Sequence, residues 1–212
     1  MRLSGAIFDL DGVVLDTEGM YTKIWGAVGR KYHPEIEGFA DMIKGMTLRN
    51  IMDKWFPGEA LQREVDETLR RYEAEEMEFR YLNGADEYIR GLRERGIKTA
   101  LATSSKREKI ESVKRQIADI ESLFDVVVTA EDVRRSKPDP EIFQKAAELI
   151  GKGAGECAVF EDSLNGLKAG RAAEMYVVGV VGTYSRAQVE ALSDVTIDRM
   201  AELVGGNDIF KR

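Results

Sequence analysis

Two aspartates, Asp9 and Asp11, stand one residue apart at the end of an apolar run over residues 5–10, and Gly12 follows them. Side chains two residues apart in an extended chain point to the same side, so both carboxylates should project beyond the carboxyl end of a strand. Carboxylates at close range repel each other, so that one of them must take up a proton or a cation must lie beside them. The pair therefore predicts a charged ligand site or, taken alone, a solvated turn.

A calcium-binding loop is excluded by the position of the glycine. Such a loop follows a helix and carries its glycine at the sixth position. Here Gly12 stands at the fourth position counted from Asp9, and a strand-like run precedes it.

Three further segments place polar side chains at the ends of predicted elements. They carry hydroxyls at Thr103, Ser104 and Ser105, an ammonium at Lys137, and carboxylates at Glu161 and Asp162. Hydroxyls before a helix either donate to a bound anion or cap the helix. Lys137 is either an ammonium held in place by the stiff Ser-Lys-Pro-Asp-Pro turn or an exposed charge in a loop. Acidic residues at the start of a helix are commonly helix caps. Each segment alone is compatible with a structural role.

Taken together, the four segments predict a site for phosphoryl transfer. All of them fall where a parallel sheet presents the carboxyl ends of its strands, which is the edge at which ligands bind. Oxygen-only ligands suit Mg²⁺, which takes one or two carboxylates together with water and substrate phosphate. A lysine and hydroxyl groups beside that metal suit the oxygens of a phosphoryl group.

The elements that must position these residues alternate between apolar runs and helical patterns. Nearly continuous apolar runs predict strands that are covered on both faces. The runs span residues 5–10, 98–103, 125–129, 157–160 and 176–181. Helical spacing predicts helices over 85–94 and 141–150, each ended by a glycine. This alternation predicts an α/β fold with a Rossmann-like parallel sheet flanked by helices.

Residues 16–81 have a different character, because their pattern is helical almost throughout. Leu61, Val65 and Leu69 recur at helical spacing within residues 61–79, surrounded by charged side chains. We therefore expect a helical domain at 16–81, inserted into an α/β core domain formed by residues 1–15 and 82–212.

The composition is that of a globular protein and disfavours several classes of function. Hydrophobic residues make up 43% of the 212 residues and charged residues 33%, and no apolar run approaches the length of a membrane span. The net charge of −7 disfavours nucleic-acid binding, which needs a basic surface. The single cysteine, Cys157, fits a reducing compartment. We expect a cytoplasmic protein without a nucleic-acid or membrane partner.

The four segments resemble the motifs of the haloacid dehalogenase-like hydrolase superfamily, in the branch of β-phosphoglucomutase and the small sugar-phosphate phosphatases. FDLDGVVLDTE resembles the first motif, ATSS the second, the lysine of SKPDP the third and FEDSLNG the fourth, in the family's order. The resemblance spans nearly the whole chain and implies that residues 16–81 are the family's cap domain. Ser136 and Glu174 stand where glycine is usual in the family.

This resemblance implies chemical roles for the first motif. Asp9 would attack phosphorus and form an aspartyl-phosphate, and Asp11 would protonate the leaving oxygen and later deprotonate the incoming water or hydroxyl. The like charges would be tolerated because a metal ion, Lys137 and a proton on Asp11 share the site.

It also implies ligands for the phosphoryl group and for Mg²⁺. The substrate's phosphoryl oxygens would be held by Thr103, Ser104, Ser105 and Lys137. The metal would be held by Asp9, Asp162 and the backbone carbonyl of Asp11. Glu161 would either bind the metal directly or contact one of the groups that bind it.

The family pattern is less complete in the insert. A β-phosphoglucomutase-like cap has a histidine on its first helix, near the position of Tyr21 in this chain, and a Lys-Gly-x-x-Arg segment that is one residue longer here, from Lys44 to Arg49. We therefore expect a phosphatase acting on a small phosphorylated metabolite, with a β-phosphoglucomutase-type mutase as the alternative. Lys44 and Arg49 either contact the substrate or are solvated helix-end charges.

Two other classes of function are less favoured. A non-enzymatic regulatory protein that binds a small molecule on this fold would be expected to lack Asp9, Asp11 or Lys137, and all three are present. A nucleotide-binding glycine loop at 151–155 would follow a strand, whereas this one follows a helix. We further expect a monomer and a surface position for His33.

Overall fold

The five apolar runs and one further segment form a sheet of six parallel strands in a computed structural model, which describes residues 2–44, 46, 48–204 and 209–211. The strands are β1 (Gly5–Phe8), β2 (Lys98–Ala102), β3 (Val126–Val128), β4 (Cys157–Glu161), β5 (Tyr176–Val180) and β6 (Val195–Ile197). Their order across the sheet is β3-β2-β1-β4-β5-β6. The predicted α/β fold with a parallel sheet is thus confirmed.

Strand β1 lies near the centre of the sheet, paired with β2 on one side and with β4 on the other. Every residue of β1 and of β4 is buried, which explains why both sequences are apolar without alternation. The rings of Phe8 and Phe160, which are register partners in β1 and β4, stack with their centroids 4.4 Å apart. The carboxyl ends of these neighbouring strands therefore lie side by side.

The sixth strand is absent from the sequence prediction. Strand β6 has three residues between Asp194 and Asp198, too few to give an apolar pattern. Tertiary hydrogen bonds compensate, because the Val177 N–H donates to the Asp194 carboxylate at 2.7 Å and the Asp194 N–H donates to the Val177 carbonyl.

Helices connect the strands and also form the insert. Within the described residues they are α1 (Glu18–Tyr32), α2 (Phe39–Met42), α3 (Leu48–Trp55), α4 (Glu59–Glu76), α5 (Ala85–Glu94), α6 (Arg107–Gln116), α7 (Glu141–Leu149), α8 (Leu164–Ala172) and α9 (Arg186–Glu190). Across the described part of the chain, none of them combines the length and the apolar character needed to cross a membrane.

The chain divides into two compact units. One comprises Met1–Asp16 and Phe79–Arg212, and the other comprises Thr17–Glu78. The returning chain joins the α/β unit before residue 82, because the Asp16 N–H donates to the Arg80 carbonyl at 3.0 Å and Leu15 forms an antiparallel bridge with Tyr81. Residues 79–81 therefore belong to the α/β unit.

The helical unit has an aromatic core of its own. His33 stacks on Phe39 with centroids 5.3 Å apart, and its Nε2 lies within hydrogen-bond distance of the Trp55 carbonyl oxygen. His33 is therefore less exposed than expected: its ring packs into this cluster, its side chain is 19% exposed, and its Nδ1 lies 3.1 Å from Oε1 of exposed Glu35. Trp25 and Phe56 lie in the same cluster, with ring centroids 6.4 Å apart.

Candidate active site

The end of β1 places Asp9 beside the end of β4. The Asp9 N–H donates to the Phe160 carbonyl at 3.0 Å, which extends the pairing of the two strands by one residue. Gly12 then turns the chain with φ of 75°, a left-handed conformation that favours glycine. A side chain at residue 12 would collide with the Asp162 carboxylate, since a Cβ there would lie 2.3 Å from Asp162 Oδ2. Asp162 therefore lies directly against the turn that follows the two aspartates.

Lys137 joins the acidic groups of these two strands. Its Nζ donates to Asp9 Oδ1 at 2.6 Å, to Glu161 Oε1 at 2.7 Å and to the Ala102 carbonyl at 3.1 Å. The lysine side chain is only 5% exposed and its ammonium lies 4.8 Å from the centre of the Phe143 ring, on α7. One buried cation thus contacts the ends of β1, β2 and β4.

Burial and charge act in opposite directions on this pair. Desolvation raises the pKa of Asp9 from its ordinary 3.8 to about 7, although the Lys137 ammonium lowers it. Burial opposes the charge of Lys137, but the carboxylates of Asp9 and Glu161 outweigh that effect and raise the pKa of the lysine above its ordinary range. Lys137 is therefore a permanent cation beside an unusually basic carboxylate.

Glu161 serves as an anchor for the lysine. Its Oε2 accepts hydrogen bonds from the Ser163 N–H at 2.8 Å and from the Ser163 hydroxyl at 2.9 Å, while Oε1 accepts from Lys137. Ser163 is also the N-cap of α8, because its hydroxyl accepts from the Gly166 N–H at 3.0 Å. Both oxygens of Glu161 are thus engaged by protein groups, which leaves its role as a metal ligand a prediction.

Asp162 is the least neutralised of the acids. Its side chain is largely buried and accepts no hydrogen bond from the described residues. Burial, followed by the charges of Glu161, Asp9 and Asp11, raises its pKa well above the ordinary value. A buried carboxylate in this state has oxygens available to a cation.

The hydroxyl segment after β2 reaches the same edge. Thr103 is buried, its N–H donates to the Val128 carbonyl at 3.0 Å, and its Oγ1 accepts from the Ser105 N–H at 3.0 Å. The Ser105 hydroxyl donates to Asp11 Oδ2 at 3.0 Å, while Ser104 is exposed. Of the three hydroxyls, that of Ser105 is the one that contacts a predicted catalytic acid.

Asp11 has a partner that the sequence prediction does not include. The Lys109 Nζ donates to both oxygens of Asp11, at 2.6 and 2.7 Å, and this lysine side chain is only 5% exposed. The sequence interpretation assigns a proton to Asp11, whereas the structure places a second ammonium beside it. Lys109 stands among charged residues in α6, and nothing in that local pattern distinguishes it from a surface lysine.

Lys44 and Arg49 belong to the helical unit. Lys44 Nζ forms an ion pair with Asp41 at 3.3 Å, and Arg49 Nε lies 3.8 Å from an Asp53 oxygen, with the Arg49 side chain 90% exposed. Gly45 and Thr47 of the same segment lie outside the described residues. The substrate-binding roles of Lys44 and Arg49 stay predictions.

The donor set fits a magnesium ion in its usual protein environment. The described residues contain no group of three or more His, Cys, Asp and Glu side chains arranged to hold a metal. Mg²⁺ does not require such a group, since it is bound through one or two carboxylates and completes its shell with water and phosphate oxygens. Asp162, whose carboxylate accepts no hydrogen bond from the part of the chain that the structure describes, meets this requirement beside Asp9.

Known proteins are similar to this chain in sequence and in fold. The family described as haloacid dehalogenase-like hydrolase matches residues 3–174. A phosphorylated carbohydrates phosphatase of Thermotoga maritima is 30% identical in an alignment 195 positions long, which covers 84% of this chain and 86% of the relative. A bifunctional riboflavin kinase/FMN phosphatase of Arabidopsis thaliana is 29% identical over 94% of this chain, and the chain spans about half, 54%, of its length.

A solved structure extends the comparison to the mutases. A crystal structure of a candidate β-phosphoglucomutase from Thermotoga maritima is 31% identical, covers 92% of this chain and 94% of its own, and superposes with a TM-score of 0.72. Family match, relative and solved structure agree with the observed α/β fold and with the predicted family. The chain is an enzyme that belongs to the haloacid dehalogenase-like hydrolase family, in a group that includes phosphatases and β-phosphoglucomutases.

Proposed function

We propose that this enzyme is a Mg²⁺-dependent phosphatase that hydrolyses a small phosphorylated metabolite through an aspartyl-phosphate on Asp9. The observation that carries the proposal is the position of Lys137, which is buried and donates to both Asp9 and Glu161. A cation held in this way beside a carboxylate provides charge stabilisation for a phosphoryl group that is transferred to that carboxylate. The family relatives described as phosphatases support the same reaction class.

In the first step an oxygen of Asp9 attacks phosphorus, and the bond between phosphorus and the leaving oxygen breaks. Asp11 gives a proton to that leaving oxygen, so that the alcohol departs neutral. In the second step water attacks the aspartyl-phosphate, Asp11 takes a proton from the water, and the phosphorus–Asp9 bond breaks. Inorganic phosphate leaves, and both aspartates return to their starting states.

In our proposal the phosphoryl oxygens are held by Lys137, which contacts Asp9, and by the loop after β2. Lys137 supplies a fixed positive charge, because its side chain is held by Asp9, Glu161 and the Ala102 carbonyl. The exposed hydroxyl of Ser104 supplies a neutral donor in our proposal. Thr103 shapes this loop by accepting from the Ser105 N–H.

The proposed metal ligands are Asp9, Asp162 and the backbone carbonyl of Asp11. When bound, Mg²⁺ neutralises the acids and the phosphoryl charge and so favours the approach of two anions. Glu161 contributes through Lys137, since both of its oxygens are already bonded.

We assign substrate selection to the helical unit, Thr17–Glu78, as the cap domain of the family. Exposed Arg49 and Lys44 are the proposed contacts to the part of the substrate that does not react. The mutase is the second candidate because of the 31% identity to a candidate β-phosphoglucomutase. Against it, Tyr21 stands near the expected position of the mutase histidine, and its hydroxyl donates to Glu73 at 2.9 Å.

A phosphate-release screen tests the proposal. The panel contains glucose 6-phosphate, β-glucose 1-phosphate, pseudouridine 5′-phosphate, FMN, pyrophosphate and p-nitrophenyl phosphate, each with Mg²⁺. We expect phosphate release by the wild type, and a loss of about 10³-fold or more in Asp9→Asn. Asp198→Asn, an exposed site with a 61% exposed side chain, serves as the control and should keep wild-type activity.

Two results would overturn the proposal. Conversion of β-glucose 1-phosphate to glucose 6-phosphate without phosphate release would identify a mutase. Undiminished phosphate release by Asp9→Asn would exclude Asp9 as the nucleophile.

A further inference from the structure

Lys109 is a buried cation on an otherwise solvated helix. It lies in the first turn of α6, and its side chain is 5% exposed, whereas that of Lys114 on the same helix is 33% exposed. The Lys114 ammonium forms ion pairs with Glu111 and Glu121 at the surface. Lys109 instead turns inward to the edge of the sheet where the site lies.

The Lys109 ammonium contacts both carboxylate oxygens of Asp11. Nζ donates to Oδ1 at 2.6 Å and to Oδ2 at 2.7 Å, and the Ser105 hydroxyl adds a third hydrogen bond to Oδ2 at 3.0 Å. Three hydrogen bonds from two side chains leave the Asp11 carboxylate little rotational freedom. Burying an ammonium is costly and contributes little net stability even when the ion is paired. The arrangement is therefore better explained by a function at Asp11 than by stability.

The two aspartates of the first motif are contacted by different lysines. Lys137 donates to Asp9 and Lys109 donates to Asp11. Lys137 also holds Glu161, whereas Lys109 is held at the start of α6 by its backbone, whose N–H donates to the Lys106 carbonyl at 3.1 Å. The orientation of Asp11 thus has its own support, separate from that of Asp9.

We propose that Lys109 is a positioning residue, which holds the Asp11 carboxyl in the orientation from which it exchanges a proton with the leaving oxygen and then with water. The inference rests on the proposed phosphatase function and deepens it. Lys109 itself forms no bond to the substrate; the proton moves between Asp11 and the reacting oxygen, while the Asp9–phosphorus bond forms and the phosphorus–leaving-oxygen bond breaks. Its contribution therefore depends on how much the leaving oxygen needs a proton.

Substrates with different leaving groups distinguish a positioning role of Lys109 from a purely structural role. An alkoxide leaves poorly unless it is protonated, whereas p-nitrophenolate leaves readily without a proton. The value of kcat/KM reports the steps up to formation of the phosphoenzyme, in which the leaving group departs. A misplaced Asp11 should lower kcat/KM for an alkyl phosphate much more than for p-nitrophenyl phosphate.

The experiment compares Lys109→Met, Lys109→Gln and Lys109→Arg with Lys114→Met as the matched control on α6. The probes are the best alkyl phosphate of the panel and p-nitrophenyl phosphate, with Mg²⁺. For the two neutral variants we expect kcat/KM to fall about 10²-fold on the alkyl phosphate and less than about threefold on p-nitrophenyl phosphate. Lys109→Arg, which keeps charge and donors, should restore most of the loss, and Lys114→Met should match the wild type.

A double-mutant cycle with Asp11→Asn tests whether Lys109 acts through Asp11. In the Asp11→Asn background, Lys109→Met should change kcat/KM by less than about twofold, because the group that it positions is gone. The ratio of kcat/KM values on the two probes is independent of the concentration of folded enzyme, so partial unfolding cannot produce the expected pattern.

The outcomes separate this inference from the proposed function. Equal losses on both probes, or full multiplication of the two single effects in the double variant, would show that Lys109 is structural and would overturn the inference while the phosphatase stands. Absence of phosphate release from every panel compound by the wild type would overturn the proposed function itself.

Discussion

Glu161 and Gly166 are packed so closely that a Cβ at residue 166 would lie 1.7 Å from Glu161 Oε1. That oxygen accepts the hydrogen bond from Lys137, and Gly166 lies in the first helical turn of α8. The position of the Lys137 ammonium is therefore tied to the absence of a side chain on a neighbouring helix.

Gly166→Ala should displace Glu161 and, with it, Lys137. We expect kcat/KM for phosphate release to fall about 10²-fold, since a misplacement of about 1 Å in a catalytic group has this effect, and stability to fall by about 1–3 kcal/mol from overpacking. Gly91→Ala is the matched control, because a Cβ there meets nothing within 4 Å in α5. Wild-type kcat/KM in Gly166→Ala would show that Glu161 does not set the position of Lys137.

The stability of the metal-free enzyme should depend on pH through Asp9. Its pKa is about 7 in the fold against an ordinary value of 3.8, so the folded state binds more protons between these values. The contribution of Asp9 to the free energy of unfolding therefore falls as pH rises from about 4 to about 7. Asn at this position stays neutral and avoids that loss.

Asp9→Asn should accordingly have a higher Tm than the wild type at pH 8 without divalent ions, and the difference should shrink towards pH 4. At about 2–4 °C per kcal/mol for a chain of this size, several degrees are expected. Thermal unfolding followed by circular dichroism in a chelator, with Asp198→Asn as the control, measures the difference. A Tm difference that does not change with pH would contradict the prediction.

Magnesium should stabilise the fold through Asp162. A ligand at 100 times its Kd adds about 2.7 kcal/mol to the free energy of unfolding, which raises Tm measurably. We expect MgCl₂ to raise the Tm of the wild type, and NaCl of matched ionic strength not to do so. In Asp162→Asn the magnesium-dependent shift should be lost or strongly reduced; a shift equal to that of the wild type would remove Asp162 from the proposed ligands.

Arg49 tests the role of the helical unit in substrate selection. Its side chain is 90% exposed and pairs only loosely with Asp53, so Arg49→Ala should leave stability within about 0.5 kcal/mol of the wild type. If Arg49 contacts the substrate, KM for the best panel compound should rise about tenfold with kcat little changed. Arg63→Ala on α4, also exposed and paired at i,i+4, is the control. Equal KM values in the two variants would assign Arg49 to the solvated surface.

The sequence predicts those parts of the protein whose physical cause is local. Strands β1 and β4 are covered on both faces, and their apolar runs show it. Gly12 marks a turn with positive φ, as the Asp-Gly step suggests. The motif residues Asp9 and Lys137 are brought into contact because they follow elements of one parallel sheet.

The parts that escape prediction depend on tertiary position. Lys109 is one of several charged residues on α6, and only the approach of that helix to the end of β1 distinguishes it. His33 lies in a polar sequence, but its ring stacks on Phe39 and contacts Trp55, which its local sequence does not reveal. Strand β6 is fixed by its hydrogen bonds to β5 rather than by its own three residues.

The junction at Leu15 and Tyr81 also bears on how this architecture can change. The chain leaves and re-enters the α/β unit at hydrogen-bonded neighbours, so the ends of the intervening segment are anchored a few ångströms apart whatever lies between them. A segment attached in this way can be lengthened, shortened or exchanged without altering the register of the sheet. Under the proposed role of the helical unit, evolution and engineering can thus change the choice of substrate and leave the residues at the sheet edge intact.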